Sequence, residues 1–288
     1  METKVIRTMR TRYGMFALDV TRDEKMARAL EGADYPNEEI LSVSRACTDA
    51  ESVVVDIGAH IGTFALPMVR YVKSVIAYEA SPETAVLLSR NASLNKLSLR
   101  ILNKALGAVK GRASLFTRNA SNAGANTLVK GGDIPVVPLD SEVERADFIK
   151  IDVEGMELEV LAGAERIIQN SRPIILFEVN ISQLRAHGVS VARLAHFFSI
   201  HEYCLFLPLF RPRAVLALVR SPSLLAALIA PRAWLFRAES APFDLLAVPK
   251  EKSLPLPREG FRSALGFAIG RNLAVKRKRF TAFFHCIF

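Results

Sequence analysis

The sequence predicts an α/β fold: an open, mainly parallel sheet with helices packed on both faces. Three stretches predict it, each a short apolar run, a turn carrying acid or glycine, and a helical pattern. In the first, Val53, Val54 and Val55 form a continuous β-branched run, the pattern of a strand buried on both faces of a parallel sheet. Asp56 ends that run, Gly58 and Gly62 follow, and Phe64 to Tyr71 carries apolar residues at helical spacing. In the second, Ser74 to Tyr78 is an apolar run ending in Glu79, ahead of a helix over Pro82 to Asn95. In the third, Phe148, Ile149 and Ile151 mark a strand ending at Asp152, with a turn at Glu154 and Gly155 and a helix over Met156 to Asn170.

The remaining elements fall between and around these units. Residues 1–40 are weakly patterned, with a strand expected over Met15 to Val20; this extension is read either as a cover for the cofactor or substrate side of the domain or as a simple surface extension. Glu38 to Ala46 reads as a short amphipathic helix. Leu99 to Ala105 reads as a third strand, Gly107 to Gly111 as a turn and Ala113 to Thr117 as a further strand. Asn119 to Asn126 is a polar loop, read either as surface or as a cover for the site. Ile134 to Leu139 resembles an edge strand, because prolines flank its core. Pro173 to Val179 is the fifth strand, Ser190 to Ile200 a helix, and Phe243 to Val248 the closing strand.

The first loop selects its ligand by its spacing. A dinucleotide fingerprint requires G-x-G-x-x-G and room for a pyrophosphate. Here the pattern is Asp-x-Gly-x-x-x-Gly, and its acid would repel a phosphate. Such an acid suits a cationic group, for instance the amino group of S-adenosyl-L-methionine. Glu79, at the end of the second strand, stands where a carboxylate accepts both hydroxyl protons of a ribose. The alternatives are a ligand-free tight turn and a solvated Glu79.

Composition sets outer bounds. The chain has 288 residues, half of them hydrophobic, enough for one large domain with extensions. Cys47, Cys204 and Cys286 are too far apart to imply a zinc site or disulfide framework, so a reducing, cytoplasmic setting is expected. No apolar leader stands at the N-terminus, and no uninterrupted apolar run is long enough to span a bilayer. The net charge of +9 is uneven: residues 205–288 hold 14 lysines and arginines against four acids. That asymmetry points to an acidic partner or an anionic lipid surface. Residues 41–250 are expected to form the catalytic domain, with 1–40 an N-terminal extension and 251–288 a basic, apolar tail.

Several ordered blocks carry a family resemblance. They are Val-Asp-Ile-Gly-Ala-His-Ile-Gly at 55–62, Tyr-Glu-Ala-Ser-Pro at 78–82 and Ala-Leu-Gly at 105–107. Ile-Lys-Ile-Asp-Val-Glu-Gly at 149–155, Pro-Ile-Ile-Leu-Phe-Glu at 173–178 and Leu-Leu-Ala-Val-Pro at 245–249 follow. In these blocks the chain resembles the FkbM-type methyltransferases, which use S-adenosyl-L-methionine. The resemblance implies a Rossmann-like seven-stranded methyltransferase sheet with helices on both faces. It implies that Asp56, Gly58 and Gly62 hold the methionine end of the cofactor and that Glu79 holds its ribose. It also implies that the adenine lies near Lys104 and Ala105. His60 stands where the family often has asparagine, and it is carried with the cofactor residues.

The expected chemistry is O-methylation of a hydroxyl on a small molecule or sugar. Methyl transfer needs an aligned acceptor oxygen and a destination for its proton. In the implied strand order the fourth strand lies beside the first and the fifth beside the fourth, bringing Asp152 and Glu178 together. Asp152 is expected to be the base, with Glu154 and Glu178 positioning the acceptor. The alternative is that Asp152 and Glu154 cap the following helix. A few carboxylates without fixed spacing do not specify a metal. His187, His196 and His201 are read as helix or loop surface residues. Lys276 to Arg279 leaves RNA methylation as an alternative, although no Asn-Pro-Pro-Tyr-type motif follows the fourth strand. Leu224 to Ile229, Phe261 to Ile269 and Phe280 to Phe288 leave peripheral membrane contact as another, and a nucleoside-binding protein without turnover is a third.

Overall fold

The computed structural model describes residues 4–32, 35–117, 126–210, 214–219, 242–254 and 258–259. The polar loop at 119–126 (save Asn126), most of 211–241 and the tail from 260, with Cys286 and the basic run, lie outside the described residues.

The chain opens with a hairpin of β1 (Ile6–Thr11) and β2 (Gly14–Asp19), then α1 (Glu24–Glu31) and α2 (Glu38–Ala46). Two strand-helix units and a third strand follow: β3 (Val53–Ile57) with α3 (Ala65–Met68), β4 (Ser74–Tyr78) with α4 (Pro82–Leu94), and β5 (Arg100–Leu102). A second sheet comes next, made of β6 (Ala105–Leu106), β7 (Gly111–Thr117), β8 (Asn126–Lys130) and β9 (Ile134–Val137). The chain then returns through β10 (Phe148–Ile151), α5 (Glu157–Ala162), α6 (Glu165–Ser171) and β11 (Ile174–Val179). Helices α7 (Ile181–Ala186) and α8 (Val191–Ile200) lead to β12 (Tyr203–Phe210), β13 (Ala214–Val219), β14 (Phe243–Pro249) and β15 (Arg258–Glu259).

The large sheet has nine strands in the order β15-β13-β12-β14-β11-β10-β3-β4-β5. Its run from β12 to β5 supplies the seven expected strands, and β13 and β15 extend that run at one edge. As expected, β10 lies between β3 and β11, parallel to both. Strand β14 is antiparallel and interior, with β11 on one side and β12 on the other; the short β15 follows it, so it is not the last strand along the chain.

Alternate residues feed two cores, because successive side chains on a strand point to opposite faces. Val55, Ile57, Ile149, Ile151 and Phe177 pack toward α5, α6 and α8. Val54, Phe148 and Leu176 pack toward Phe16 and Leu18 of the hairpin, Leu41 of α2 and Leu88 of α4. The extension is therefore part of the core rather than an appendage.

Four local readings differ from expectation. Leu99 to Ala105 is not one strand: it breaks at Asn103 and Lys104, and Ala105 opens the second sheet. Asn103 makes the break by donating its amide to the carbonyls of Glu79 and Ala80. Strand β9 is interior, not an edge; it accommodates Pro135 because β6 is short and pairs with it only at Val136 and Val137. The helix expected over Met156 to Asn170 splits into α5 and α6 around Gly163, where a Cβ would stand 2.1 Å from the Gly107 carbonyl oxygen. The helix expected over Phe64 to Tyr71 shortens to α3. Among the described residues, no helix is long and apolar enough to cross a membrane.

Two asparagines, Asn91 on α4 and Asn95 at its C-cap, fasten the hairpin. Asn91 accepts from Ala17 N–H at 2.7 Å and donates to the carbonyls of Ala17 and Ile61, both at 3.0 Å. One turn on, Asn95 accepts from Met15 N–H at 2.8 Å and donates to the Met15 carbonyl at 2.7 Å. Asn91 is fully buried, so replacing it leaves three backbone groups without partners. Asn91→Leu is expected to destabilise the protein by about 2–4 kcal/mol and to accelerate hydrogen exchange at Ala17. An urea titration and amide exchange measure both; unchanged exchange at Ala17 would show that the hairpin docks without this contact.

Candidate active site

At the carboxyl ends of β3, β4, β10 and β11, beside the amino end of the antiparallel β14, lies a cavity of about 420 Å³, within the size range of small-molecule sites. Register explains its floor. Lys150 of β10 is the direct partner of Asp56 on β3, and both side chains are buried. The Lys150 ammonium lies 3.5 Å from Asp56 and 3.3 Å from Asp152, and 5.7 Å above the Phe64 ring. Burial works against its charge, yet Asp152 and Asp56 outweigh burial and raise its pKa above the ordinary lysine value. Burial raises Asp56 above the usual carboxylate range, with Lys150 opposing. The Lys150 charge, with the Ala65 backbone N–H, offsets the cost of that buried acid.

The first loop forms one wall. Gly58 lies on that wall with φ +80°, and a Cβ there would stand 1.9 Å from the Asp152 carbonyl oxygen. Glycine is what permits the tips of β3 and β10 to close up. His60, also on the wall, holds a left-handed φ of 52°. Glu79 ties this loop to the second strand: its carboxylate accepts from His60 N–H and from Ser81 N–H, each at 2.8 Å. Asp56 and Gly62 are not on the cavity wall. Asp56 sits beneath it, and Gly62 (φ +94°) leaves room for Leu88 and Leu66, which a Cβ would meet at 2.5 and 2.9 Å.

The extension supplies a further part of the wall, through Asp23, Met26, Asn37 and Ile40. Asp23 caps α1 by accepting from Met26 N–H, and its other oxygen lies 2.9 Å from His60 Nε2. Burial opposes the charged imidazole, but Asp23, Glu79 and Asp152 outweigh burial and hold the His60 pKa above its ordinary value. Tyr35 O–H donates to the Thr63 carbonyl and Asn37 donates to the Thr63 hydroxyl, fixing α2 against the same loop. Lys104 and Ala105 line the cavity from the second sheet. The Lys104 ammonium is bound by both Glu142 oxygens at 2.9 Å.

The acids of the third unit line the remaining side. Asp152, Glu154 and Glu178 all face the cavity, joined by Asp244, the direct partner of Glu178 across β11 and β14. Helix α5 opens at Met156 without a side-chain cap, so the capping alternative for Asp152 and Glu154 does not hold. Glu154, at φ +53°, accepts from the Gln183 amide at 3.2 Å. Burial, with the charges of Asp152 and Glu157, pushes Glu154 up to about 7. Burial, with Asp152, Asp244 and Glu154, pushes Glu178 up to about 9 against the pull of Lys150. His187, His196 and His201 do not line the cavity.

Sequence reasoning assigned no role to Lys150, Asp23 or Asp244. A lysine inside an apolar run of a strand buried on both faces was a readable signal for the first, since buried lysines require partners. Nothing local marks Asp23 or Asp244.

The family model for the methyltransferase FkbM domain matches residues 56–205, the span holding Asp56, Glu79, Lys150 and the Asp152 turn. This chain belongs to the FkbM methyltransferase family. The hexuronic acid methyltransferase AglP of Haloferax volcanii is 26% identical over 135 residues, covering 44% of this chain and 56% of that protein. Methyltransferase sdnD of Sordaria araneosa is 31% identical over 156 residues, covering 39% of this chain and 60% of that one. The FkbM-family chain thus spans less than two thirds of each of these curated relatives. Among solved structures, the methyltransferase FkbM from Methylobacillus flagellatus KT aligns with a TM-score of 0.40 at 19% identity, covering 55% of this chain and 40% of that chain. The M. jannaschii tRNA m1G37 methyltransferase aligns with a TM-score of 0.45 at 12% identity, covering 87% of this chain and 59% of that chain.

Two outcomes test the electrostatics of this FkbM-family site. Lys150→Met is expected to cost about 3–5 kcal/mol by stranding a buried acid, and adding Asp56→Leu to restore much of that loss. Urea titrations of the single and double variants measure both, and a cost below about 1 kcal/mol contradicts the pairing. Glu178 has its pKa raised in the folded state. Its contribution to stability is therefore fully present below about pH 4.5, the ordinary carboxyl range, and is lost as pH rises toward about 9. Glu178→Gln is expected to flatten the melting temperature across that window and to raise it at pH 8. An unchanged pH profile would show that Glu178 ionises as an ordinary surface acid.

Proposed function

We propose that this protein transfers the methyl group of S-adenosyl-L-methionine to a hydroxyl of a small molecule or sugar. One observation carries the reading: in a chain matching the FkbM family, Gly58, His60, Glu79 and Asp152 wall one cavity at neighbouring strand tips. Residues 41–250 are proposed as the catalytic domain, with 1–40 walling its cavity.

The residues fit the cofactor by their chemistry. Each Glu79 oxygen already accepts one backbone N–H, and a carboxylate oxygen has lone pairs for two such bonds. The carboxylate therefore retains capacity for both hydroxyls of a ribose. The loop from Gly58 to His60 is proposed to hold the methionine end, with Asp56 and Gly62 shaping it from beneath. The side formed by Lys104 and Ala105 is proposed for the adenine. When bound, S-adenosyl-L-methionine supplies an electrophilic methyl group on a sulfonium.

The chain's own residues handle the acceptor. Asp152, whose direction is set by Lys150, accepts the proton of the acceptor hydroxyl. Glu154 titrates near neutrality, the range in which a carboxyl can take up and release a proton at working pH. Glu178, raised to about 9, carries its proton at neutral pH and donates a hydrogen bond to the acceptor. The name of the relative AglP supports a sugar acceptor.

Calorimetry with S-adenosylhomocysteine is expected to show a saturable complex, weakened roughly 10–100-fold by Glu79→Ala. With an acceptor in hand, Asp152→Asn is expected to lower kcat by about 10²–10⁴ with a much smaller change in cofactor affinity. Absence of binding heat, or full turnover by Asp152→Asn, would contradict the assignment.

A further inference from the structure

The turn that carries Asp152 and Glu154 to the cavity wall rests on an acid that is not itself on that wall. Glu157, the first residue of α5, is 1% exposed and does not line the cavity. A carboxyl group so enclosed is sustained by donors. Its Oε1 accepts from Gly155 N–H at 3.0 Å, and the N–H groups of Val153 and of Glu157 itself also act on it. The side chain thus folds back over the segment that links β10 to α5. Burial pushes Glu157 up to about 7, and those N–H groups oppose the rise. Gly155, at φ +103°, keeps the segment tight: a Cβ there would stand 2.8 Å from the Gln183 carbonyl oxygen and 2.9 Å from His187 Cδ2. Gln183 of α7 in turn donates its amide to the Glu154 carboxylate at 3.2 Å. The turn is seated against α7 and tied to Glu157, while Asp152, Val153 and Glu154 remain on the cavity wall.

We propose that Glu157 is a positioning residue for methyl transfer: bound to the Gly155 N–H, it fixes the turn that aims Asp152 and Glu154 at the acceptor. The proposal deepens the function proposed above and rests on it, since that reading makes Asp152 the base. Glu157 acts only through the turn, because it has no place on the cavity wall. A misplacement of about 1 Å at a reacting group costs on the order of 10²-fold in rate, so the hold on this segment bears directly on turnover.

The test compares the unaltered full chain with two variants. Glu157→Met keeps an unbranched side chain but removes the acceptor, and Glu157→Gln retains an acceptor oxygen. Amide exchange at Gly155 is expected to rise at least about tenfold in Glu157→Met and by no more than about threefold in Glu157→Gln, with β3 and β11 unchanged in both. Glu178 reports the turn from a neighbouring strand, because Asp152 and Glu154 contribute to its raised pKa. Followed by carboxyl carbon NMR, its midpoint is expected to fall from about 9 by about one pH unit or more in Glu157→Met, and by less in Glu157→Gln. Unchanged Gly155 exchange or an unchanged Glu178 midpoint in Glu157→Met overturns the proposal. Loss of folding, or equal acceleration of exchange throughout the sheet, marks a role in stability alone and overturns it as well. Calorimetry of the unaltered chain with S-adenosylhomocysteine tests the underlying reading separately: absence of binding overturns the methyltransferase assignment and leaves the link between Glu157 and the turn to be decided by the variants.

Discussion

The buried charge pairing of Lys150 with Asp56 and Asp152 is the constraint on which the site depends. Asp56 is fully buried, a placement that a carboxylate without compensating charge does not sustain. Strand register puts Lys150 directly beside it, and Asp152, two residues along, shares the same ammonium. One cation thus joins the tips of β3 and β10, and Gly58 lets the two tips approach closely enough for the pairing. Removing either sign of charge leaves the other without compensation, so the cluster is cooperative rather than a sum of surface ion pairs.

Around that floor the walls come from parts of the chain far apart in sequence. The hairpin and its two helices reach the site through Asp23, Tyr35 and Asn37, and Asn91 and Asn95 hold the hairpin down from behind. The second sheet contributes the Lys104 and Ala105 side, and Gly163 gives it room against the helical layer. Acids gather at the ends of β10, β11 and β14 because parallel and antiparallel register bring those ends together. The shifted glutamates follow from the same crowding and burial.

Much of this was legible in the sequence because strands buried on both faces announce themselves as apolar runs, and Val53–Ile57, Ser74–Tyr78 and Ile174–Val179 are such runs. The acids near their ends were legible as breaks in the apolar pattern, although Asp56 and Glu178 lie inside β3 and β11 rather than ending them. Boundaries set by tertiary contact were not. The split of α5 from α6 depends on the backbone at Gly107, and the break after Leu102 depends on the Asn103 amide reaching Glu79 and Ala80. The partnership of His60 with Asp23 spans 37 positions of chain and has no local pattern. The interior place of β9 was misjudged because Pro135 usually signals an edge, and only the shortness of β6 removes that conflict.

The central claim is that one nucleoside-sized ligand is gripped by the tips of β3, β4 and β10. Backbone amide shifts recorded on addition of S-adenosylhomocysteine test it directly. The account predicts that the large changes cluster at Gly58 to His60, Glu79 to Ala80 and Asp152 to Glu154. Changes confined to the cleft between the hairpin and α4, whose walls include Leu18, Arg22, Leu87 and Arg90, or no changes at saturating ligand, would contradict it.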